Sequence, residues 1–296
     1  MGQLGVSAAE IGRDLVLTLS DPLRLETLPA PRLDSVLRLA RRTSTLPRLA
    51  LGVATLQGGD RIDAKALELL EAARATAEHH RRNLRWEADR IARALGPLGI
   101  RVVALKGAAY ELAGLPPAAG RMSSDFDILV PSASLDPVER ALERSGWVSD
   151  HEDPYDQRYY REWMHELPPL RHEGRGTLID VHHTLVPPTS RTVRPDVAEL
   201  WNDARPVDDC PFGVLGPEDM VIHSAVHAFH DGDLTQPLRD LLDLDVLLRH
   251  FGSTVPGFWD RLVRRAALHR ARRPLYYALR YVSRVFETPI AVETRR

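Results

Sequence analysis

The sequence contains a single cysteine, Cys210, among its 296 residues. One cysteine cannot form an intrachain disulfide, which fits a reducing compartment. No apolar run approaches the ~20 residues that a membrane-spanning helix needs. The first ten residues also lack the basic stretch followed by an apolar stretch that marks a secretory signal. Val6 stands where the N-myristoylation pattern has serine or threonine. We therefore expect a cytoplasmic protein that does not enter a membrane.

A strongly basic balance is absent as well. The formal net charge is −2, which argues against a protein that covers itself in nucleic acid. Lysine is rare, because only Lys65 and Lys106 are lysines among the 39 lysine and arginine residues. Where arginine is the usual cation, a lysine suggests a site that needs a compact ammonium instead of a planar fork. Lys106 ends an apolar run and directly precedes Gly107, so we interpret it as a site residue.

The hydrophobic pattern predicts an α+β protein. With 44% hydrophobic residues, the chain can bury one large core or two modest ones. We expect a small mixed sheet of about four or five strands, flanked by helices, in a core of residues 100–190. Helical regions at 1–99 and 191–296 frame it. The periodicity predicts helices at 63–95, 108–115, 135–145, 258–269 and 272–286, and strands at 100–105, 125–130, 147–148, 159–160, 163–170 and 177–185.

The stretch DFDILV at 125–130 carries a pair of carboxylates. In a strand, alternate side chains share a face, so Asp125 and Asp127 point the same way, about 6–7 Å apart along the backbone. Phe126, Ile128 and Val130 then point into the core. Two carboxylates on one face repel each other unless a cation, a base or water relieves the charge. A hard cation such as Mg²⁺, which keeps substrate phosphates as further ligands, is the usual partner of such a pair.

A later strand, TLIDVHHTL at 177–185, places Asp180 and His182 on one face. A carboxylate in an otherwise apolar strand costs stability unless it is paired or ligates a metal. We therefore expect Asp180 to be a third acid beside Asp125 and Asp127. His182, which shares its face, and His165 are candidate acceptor-side residues.

The turn after the first strand is a candidate anion site. Gly107 lies where backbone N–H groups at a turn and a helix start attract anions. Arg121 can add a cation, and Ser123 and Ser124 can add hydroxyl donors ahead of the acidic strand. With Lys106, these residues are the predicted nucleotide-binding set.

The block LKGAAYELAGLPPAAGRMSSDFDILV resembles the nucleotidyltransferase superfamily that includes DNA polymerase β. It is most similar to a bacterial group with a Leu-Lys-Gly turn followed by Arg-x-x-x-Asp-x-Asp-x-Leu-Val. The later HELPPLRHEGRGTLIDVHHTL also resembles that group, in its His-x-x-x-Pro-Leu and its final carboxylate-His-His strand. The similarity covers roughly residues 65–250. In the wider superfamily the first turn is usually Gly-Ser, whereas here it is Lys106-Gly107.

The resemblance implies a polymerase β-like core and a nucleotidyl transfer. Asp125, Asp127 and Asp180 then hold two Mg²⁺ ions, with Mn²⁺ as the alternative ion. The nucleotidyl group of a nucleoside triphosphate such as ATP moves to an acceptor hydroxyl, and pyrophosphate leaves. A small molecule, a peptide or a protein is favoured over RNA as the acceptor, because the chain is slightly acidic.

Two alternatives remain open from the sequence. The first is a metal-dependent phosphohydrolase of the His-Asp kind, built on helices from His223, His227, His230-Asp231 and Asp240. The second is a nucleotidyltransferase-like protein that has lost catalysis and binds a nucleotide or a partner. Three retained acids argue against the second alternative, because a dead site has no reason to keep them.

Overall fold

The computed structural model describes residues 7–56, 61–149, 153–230, 236–291 and 294. The described α-helices are α1 Ala8–Ser20, α2 Ala30–Arg42, α3 Leu46–Thr55, α4 Ala64–Leu95, α5 Lys106–Leu112, α6 Leu135–Glu143, α7 Pro154–Trp163, α8 Val197–Asp203, α9 Pro217–Phe229, α10 Pro237–Thr254, α11 Phe258–Leu268 and α12 Arg272–Phe286. The described strands are β1 Val103–Ala104, β2 Asp125–Leu129, β3 Trp147–Ser149, β4 Leu170–His172, β5 Leu178–His182, β6 Arg205–Val207 and β7 Cys210–Val214.

One mixed sheet forms the centre of the molecule. Its spatial order is β3-β4-β5-β2-β1-β7-β6. The pairs β2/β5 and β1/β7 are parallel, and the other neighbouring strands are antiparallel. The predicted α+β class with a mixed sheet is confirmed. The described sheet has seven strands instead of four or five, because the sequence pattern did not predict β6 and β7.

The long helix α4 belongs to two hydrophobic cores. It begins after Asp63, whose side chain accepts a hydrogen bond of 3.0 Å from the N–H of Lys65, as N-cap residues do. Its first half buries Leu70 in an N-terminal core with α1, α2 and α3. Its second half buries Leu84 and Ile91 in the central core beneath the sheet. The central core therefore begins in the second half of α4 and continues past residue 99.

The prediction of a strand at 159–160 is wrong, because these residues lie inside α7. Asp153 accepts a hydrogen bond of 2.7 Å from the N–H of Tyr155 and caps the helix. The fixed φ of a proline in the first helical turn favours the same start. Tyr159 also packs edge-on against Trp163, four residues later, with ring centroids 5.8 Å apart. Capping and side-chain packing at helical spacing thus prevail over the strand preference of the aromatic residues.

A hairpin of β6 and β7 lies in the region from residue 195 onward, where we predicted helices. Its turn places Asp209 at a φ of +54°, a conformation that aspartate adopts more readily than most residues. β7 then pairs in parallel with β1, with Val103 opposite Gly213. A Cβ at Gly213 would lie 2.9 Å from the carbonyl oxygen of Arg205, so glycine permits this close approach.

A buried ion-pair group joins the N-terminal helices to the central fold. Asp243 on α10 accepts a hydrogen bond of 2.7 Å from Nε of Arg121 through its Oδ2, and its Oδ1 pairs with Arg48 of α3. Arg48 also donates a 2.7 Å hydrogen bond to the carbonyl oxygen of Pro117. One carboxylate therefore holds three separate segments of the chain together.

Within the described ranges, no helix is long and apolar enough to cross a membrane.

Candidate active site

Strands β2 and β5 bring two predicted acids side by side on one face of the sheet. The strands are parallel, and Asp127 is the direct partner of Asp180 in their register. Paired residues of neighbouring strands point to the same face and lie about 4.7–4.9 Å apart in the hydrogen-bonding direction. Asp125 lies two residues earlier on β2, on the same face as Asp127. The structure therefore places all three acids on one face of the sheet.

Lys106 contacts the most deeply buried of these acids. Its Nζ lies 2.9 Å from Oδ1 of Asp127, which is only 2% exposed. Lys106 has a φ of +45°, an unusual backbone conformation for a residue with a side chain. Such conformations often occur at functional sites, where the surrounding structure holds them. Leu105 precedes Lys106 in extended conformation and donates its N–H to the carbonyl of Asp127 at 3.0 Å, which fixes the turn.

His182 is the second partner of the same carboxylate oxygen. Its Nε2 lies 3.1 Å from Oδ1 of Asp127, and the residue is 2% exposed. Burial acts to raise the pKa of Asp127, but Lys106 and His182 outweigh burial and hold that pKa well below its ordinary value. Asp127 is therefore ionised across the physiological pH range.

Asp180 and Asp125 have the opposite electrostatic environment. Burial, together with the neighbouring carboxylates of Asp127 and Glu166, raises the pKa of Asp180 to about 7. Burial and Asp127 also raise the pKa of Asp125, although Ser124 Oγ donates a 3.0 Å hydrogen bond to Asp125 Oδ2. The face thus carries more negative charge than Lys106 and His182 compensate, as expected of a cation site.

Glu166 is a site residue that the sequence analysis did not single out. It lies directly opposite His182 in an antiparallel bridge, and its Oε2 is 3.2 Å from Nδ1 of His182. Burial raises the pKa of this glutamate. The ring of His165, the preceding residue, stacks on His182 with centroids 5.3 Å apart. Glu166 could have been found from the sequence, because it is a carboxylate in a segment of strand-like, largely apolar pattern. The same criterion selected Asp180.

The predicted nucleotide-binding residues divide between two environments. Lys106 and Ser124 contact the acids Asp127 and Asp125. The guanidinium of Arg121, by contrast, is buried between Asp243, the hydroxyl of Ser123 and the ring face of Tyr110, 5.6 Å away. Ser123 also donates its N–H to Nε2 of His80 at 3.0 Å. Arg121 therefore packs beneath the turn and has a structural partner of its own.

Gly107 separates these two environments and leaves no room for a side chain. A Cβ at this position would lie 2.0 Å from Oγ of Ser123 and 2.1 Å from Nη1 of Arg121. The site therefore needs glycine for close packing at the start of α5. A cleft of about 380 Å³ borders Gly107, Arg121 and Ser123.

We predict that Gly107→Ala lowers the free energy of unfolding by about 1–3 kcal/mol, the usual cost of overpacking a filled site. The buried guanidinium of Arg121 and the hydroxyl of Ser123 would have to shift to make room for the new methyl group. Urea denaturation of the purified variant measures this change. Gly12→Ala is the matched control, because Gly12 also lies in a helix and a Cβ there would have no neighbouring atom within 4 Å. The control should be neutral or slightly stabilising, and equal effects of both changes would contradict the prediction.

The histidines of α9 border the same face of the sheet. Burial and the nearby ammonium of Lys106 lower the pKa of His223 well below its ordinary value and that of His227 to about 4. Nε2 of His230 lies 3.1 Å from Oγ of Ser190, and Asp231 lies outside the described residues. In the described part of the chain, the α9 histidines form no set of three ligand atoms within 4.8 Å of one another. His223 and His227 therefore contribute neutral imidazoles beside Lys106.

Comparison with known proteins identifies the family of the chain. A family model described as an uncharacterised nucleotidyltransferase matches residues 29–287. The chain belongs to this nucleotidyltransferase family. Among solved structures, it is similar to an antigenic nucleotidyltransferase-like protein from Paracoccidioides brasiliensis. The identity is 13%, the TM-score is 0.36, and the match covers 71% of this chain and 94% of that one. No curated protein matches the chain. The family match confirms the nucleotidyltransferase resemblance of the sequence.

Proposed function

We propose that the protein transfers a nucleotidyl group from a nucleoside triphosphate to an acceptor hydroxyl, with Mg²⁺ bound by Asp125, Asp127 and Asp180. The observation that carries the proposal is the register of β2 and β5, which sets Asp127 directly opposite Asp180. A fold gains nothing in stability from facing carboxylates unless a cation joins them. Family membership over residues 29–287 supports the same chemistry.

The donor set fits Mg²⁺. Three carboxylates provide only hard oxygen ligands, which Mg²⁺ prefers. Oδ1 of Asp127 is occupied by Lys106 and His182, and its second oxygen lies free of both contacts. The raised pKa of Asp180 and of Asp125 reflects negative charge that a cation would compensate. When bound, Mg²⁺ ions neutralise charge on the phosphate oxygens and lower the pKa of the attacking hydroxyl.

The side chains of the protein then have separate roles in the transfer. The oxygen of the acceptor forms a bond to the α-phosphorus, and the bond from that phosphorus to the bridging oxygen of the β-phosphate breaks. Pyrophosphate leaves with the electron pair of that bond. Asp180, on the face shared by the three acids, accepts the proton of the acceptor hydroxyl. Lys106 contributes a point charge beside the phosphates, where the wider superfamily usually has a serine.

The turn beside the three acids is the proposed phosphate-binding region. Lys106 and Ser124 contact the acids there, whereas Ser123 and Arg121 fill the space where a Cβ of Gly107 would lie. Arg121 supports the turn from beneath. The cleft of about 380 Å³ lies on the Arg121 side of Gly107, and none of the three acids is among the described residues that line it, so it is not part of the proposed site.

We propose a small molecule, a peptide or a protein as the acceptor, in a reducing cytoplasm. Two arginines at the cleft, Arg81 and Arg85, are already paired with Glu78 and Glu111. Guanidinium groups that are already paired attract a polyanion such as RNA less strongly. The net charge of −2 also disfavours RNA binding. If RNA were the acceptor, its binding to the protein should weaken steeply as the salt concentration rises.

Incubation with ATP, GTP, CTP or UTP, Mg²⁺ and cell extract tests the proposal. We expect pyrophosphate release and a product whose mass rises by one nucleotidyl group, both lost on omission of Mg²⁺. Asp125→Asn should lose both signals, while the exposed control Glu68→Gln should keep them. The proposal fails if folded wild-type protein gives no Mg²⁺-dependent pyrophosphate with any of the four nucleotides, or if Asp125→Asn retains full activity.

A further inference from the structure

A second cluster of ligand-type side chains lies directly behind Asp127. Nitrogen and oxygen atoms of His165, Glu166 and His182 all lie within 4.8 Å of one another, and it is the one such set of three in the part of the chain that the structure describes. These residues are two imidazoles and one carboxylate. Asp180 lies two residues before His182 on the same face of β5, so the cluster adjoins the three acids but shares no ligand with them.

Strand pairing beyond the regular sheet assembles this cluster. The N–H of Leu167 donates to the carbonyl of Val181, and the N–H of His183 donates to the carbonyl of His165, both at 2.9 Å. Glu166 and His182 are therefore directly opposite in a non-hydrogen-bonded antiparallel pair, in which facing side chains are closest. The backbone fixes the two ligands, as a preformed site requires.

One ring nitrogen of each histidine is buried without a hydrogen-bond partner among the described residues, and the other nitrogen of His165, Nε2, lies 3.7 Å from Oε2 of Glu166. Nδ1 of His182 and Nδ1 of His165 are both inaccessible to solvent and make no hydrogen bond within the described ranges. His182 as a whole is fully enclosed, with 2% of its surface exposed. Its Nδ1 lies 3.2 Å from Oε2 of Glu166, yet the two atoms are not aligned as donor and acceptor.

That separation fits two ligands of one ion. Zinc lies about 2.0–2.2 Å from nitrogen and oxygen ligands, so neighbouring ligands of a tetrahedral ion are roughly 3.3–3.5 Å apart. Nδ1 of His182 and Oε2 of Glu166, 3.2 Å apart, are therefore spaced as neighbouring ligands of one tetrahedral ion. A buried nitrogen atom without a hydrogen bond is otherwise unfavourable.

We propose that His165, Glu166 and His182 bind one divalent transition-metal ion of the zinc class. Two imidazoles and one carboxylate are ligands of intermediate softness, which suit Zn²⁺ better than Mg²⁺. Three protein ligands leave the fourth tetrahedral position open to water. The cluster adjoins the three acids and differs from them in ligand type, because three carboxylates offer only oxygen ligands, which suit Mg²⁺.

The ion would also orient the neighbouring acid. A metal on Nδ1 of His182 leaves the proton on Nε2, which then donates to Oδ1 of Asp127 at the observed 3.1 Å. This carboxylate–histidine–metal arrangement is a common way to fix a ring and its partner. His182 is thus a positioning residue for Asp127, a role that rests on the proposed function, whereas metal binding itself does not.

Titration of chelator-treated full-length protein with Zn²⁺, in millimolar Mg²⁺, tests the site, with the visible absorption of Co²⁺ as a second readout. We expect one tightly bound Zn²⁺ per chain. Glu166→Gln and His165→Gln should each weaken binding at least 10-fold, while circular dichroism shows them folded. His183→Gln is the matched control, because His183 is adjacent in sequence and its Nε2 faces the carbonyl of Met164 at 3.2 Å. Asp180→Asn is the second control, and both controls should stay within about 3-fold of wild type.

Three results would overturn the site: no stoichiometric Zn²⁺ binding, unchanged affinity in both ligand variants, or loss of Zn²⁺ in Asp180→Asn with retention in Glu166→Gln. The last result would move the ion to the three acids. Because Zn²⁺ affinity is measured without a nucleotide, it is independent of nucleotidyl transfer. A protein that binds Zn²⁺ at this cluster but releases no pyrophosphate would overturn the proposed function alone, and the converse result would overturn the metal cluster alone.

Discussion

Replacing Asp180 with asparagine is expected to abolish nucleotidyl transfer and, at the same time, to stabilise the metal-free protein at neutral pH. Transfer should fall by roughly 10³-fold or more, because a ligand of the catalytic ions and the proposed proton acceptor are both lost, and such terms are worth several kcal/mol. Stability should rise because the substitution removes a carboxylate that burial and its neighbours hold in an unfavourable environment.

The raised pKa of Asp180 determines how the free energy of unfolding changes with pH. The pKa of Asp180 is about 7 in the folded chain, against an ordinary value of 3.8. Between these pH values the folded state binds more protons than the unfolded state, so this group makes the free energy of unfolding fall as pH rises from about 4 to about 7. The full difference corresponds to about 4 kcal/mol, and coupling to Asp127 and Glu166 makes that an upper bound.

Urea denaturation of metal-free wild type and Asp180→Asn, at pH 5 and pH 8, measures the effect. The variant should be the more stable protein at pH 8, and its advantage should shrink at pH 5. Addition of Mg²⁺ should stabilise wild type and leave the variant nearly unchanged, by mass action on the folded state. A variant that is less stable than wild type at pH 8 would contradict the electrostatic description of the site. Glu68→Gln, on an exposed face of α4, controls for loss of one charge.

Asp243→Asn is expected to lower the free energy of unfolding by about 3–5 kcal/mol, the usual cost of leaving a buried charge without its partner. Two guanidinium groups, Arg48 and Arg121, share this carboxylate, and their side chains are 10% and 8% exposed. Burial lowers the pKa of Arg48 even with Asp243 present, which shows how strongly this arginine depends on a counter-charge. The N-terminal helices and the turn at Gly107 should both loosen.

The matched control for this change is Asp34→Asn. Asp34 and Arg38 also form an ion pair, with the same carboxylate-to-Nε contact at 2.8 Å, but their side chains are 61% and 76% exposed. Exposed pairs contribute less than about 1 kcal/mol. Chemical denaturation of both variants separates the two cases. A loss below about 1 kcal/mol in Asp243→Asn would show that the buried group does not hold the chain segments together.

Local patterns were sufficient to predict the elements on which the acids lie. The pattern for a helix at 63–95 corresponds to α4, and the alternation in DFDILV corresponds to β2, because amphipathic periodicity and strand alternation are properties of a short window. The same alternation in TLIDVHHTL placed Asp180 and His182 on one face of β5. Lys106 stood out by its rarity and by its place at the end of an apolar run before Gly107, and the structure sets its ammonium on Asp127.

Contacts between distant segments could not be predicted in this way. Arg121 has the character of a phosphate ligand, yet its partner Asp243 lies 122 residues later, on a helix that no local motif connects to the turn. Glu166 reaches the site only because residues 165–167 pair with the end of β5. β6 and β7 are short and depend on β1 for pairing, so their residues carry little strand signal of their own.

The most direct test of the central claim compares one nucleotide labelled at the α-phosphate with the same nucleotide labelled at the γ-phosphate. With Mg²⁺ and an acceptor-containing extract, the α-label should enter the product and the γ-label should leave in pyrophosphate, and Asp180→Asn should do neither. Transfer of the γ-label to the acceptor, or its release as orthophosphate without incorporation of the α-label, would contradict nucleotidyl transfer at Asp125, Asp127 and Asp180.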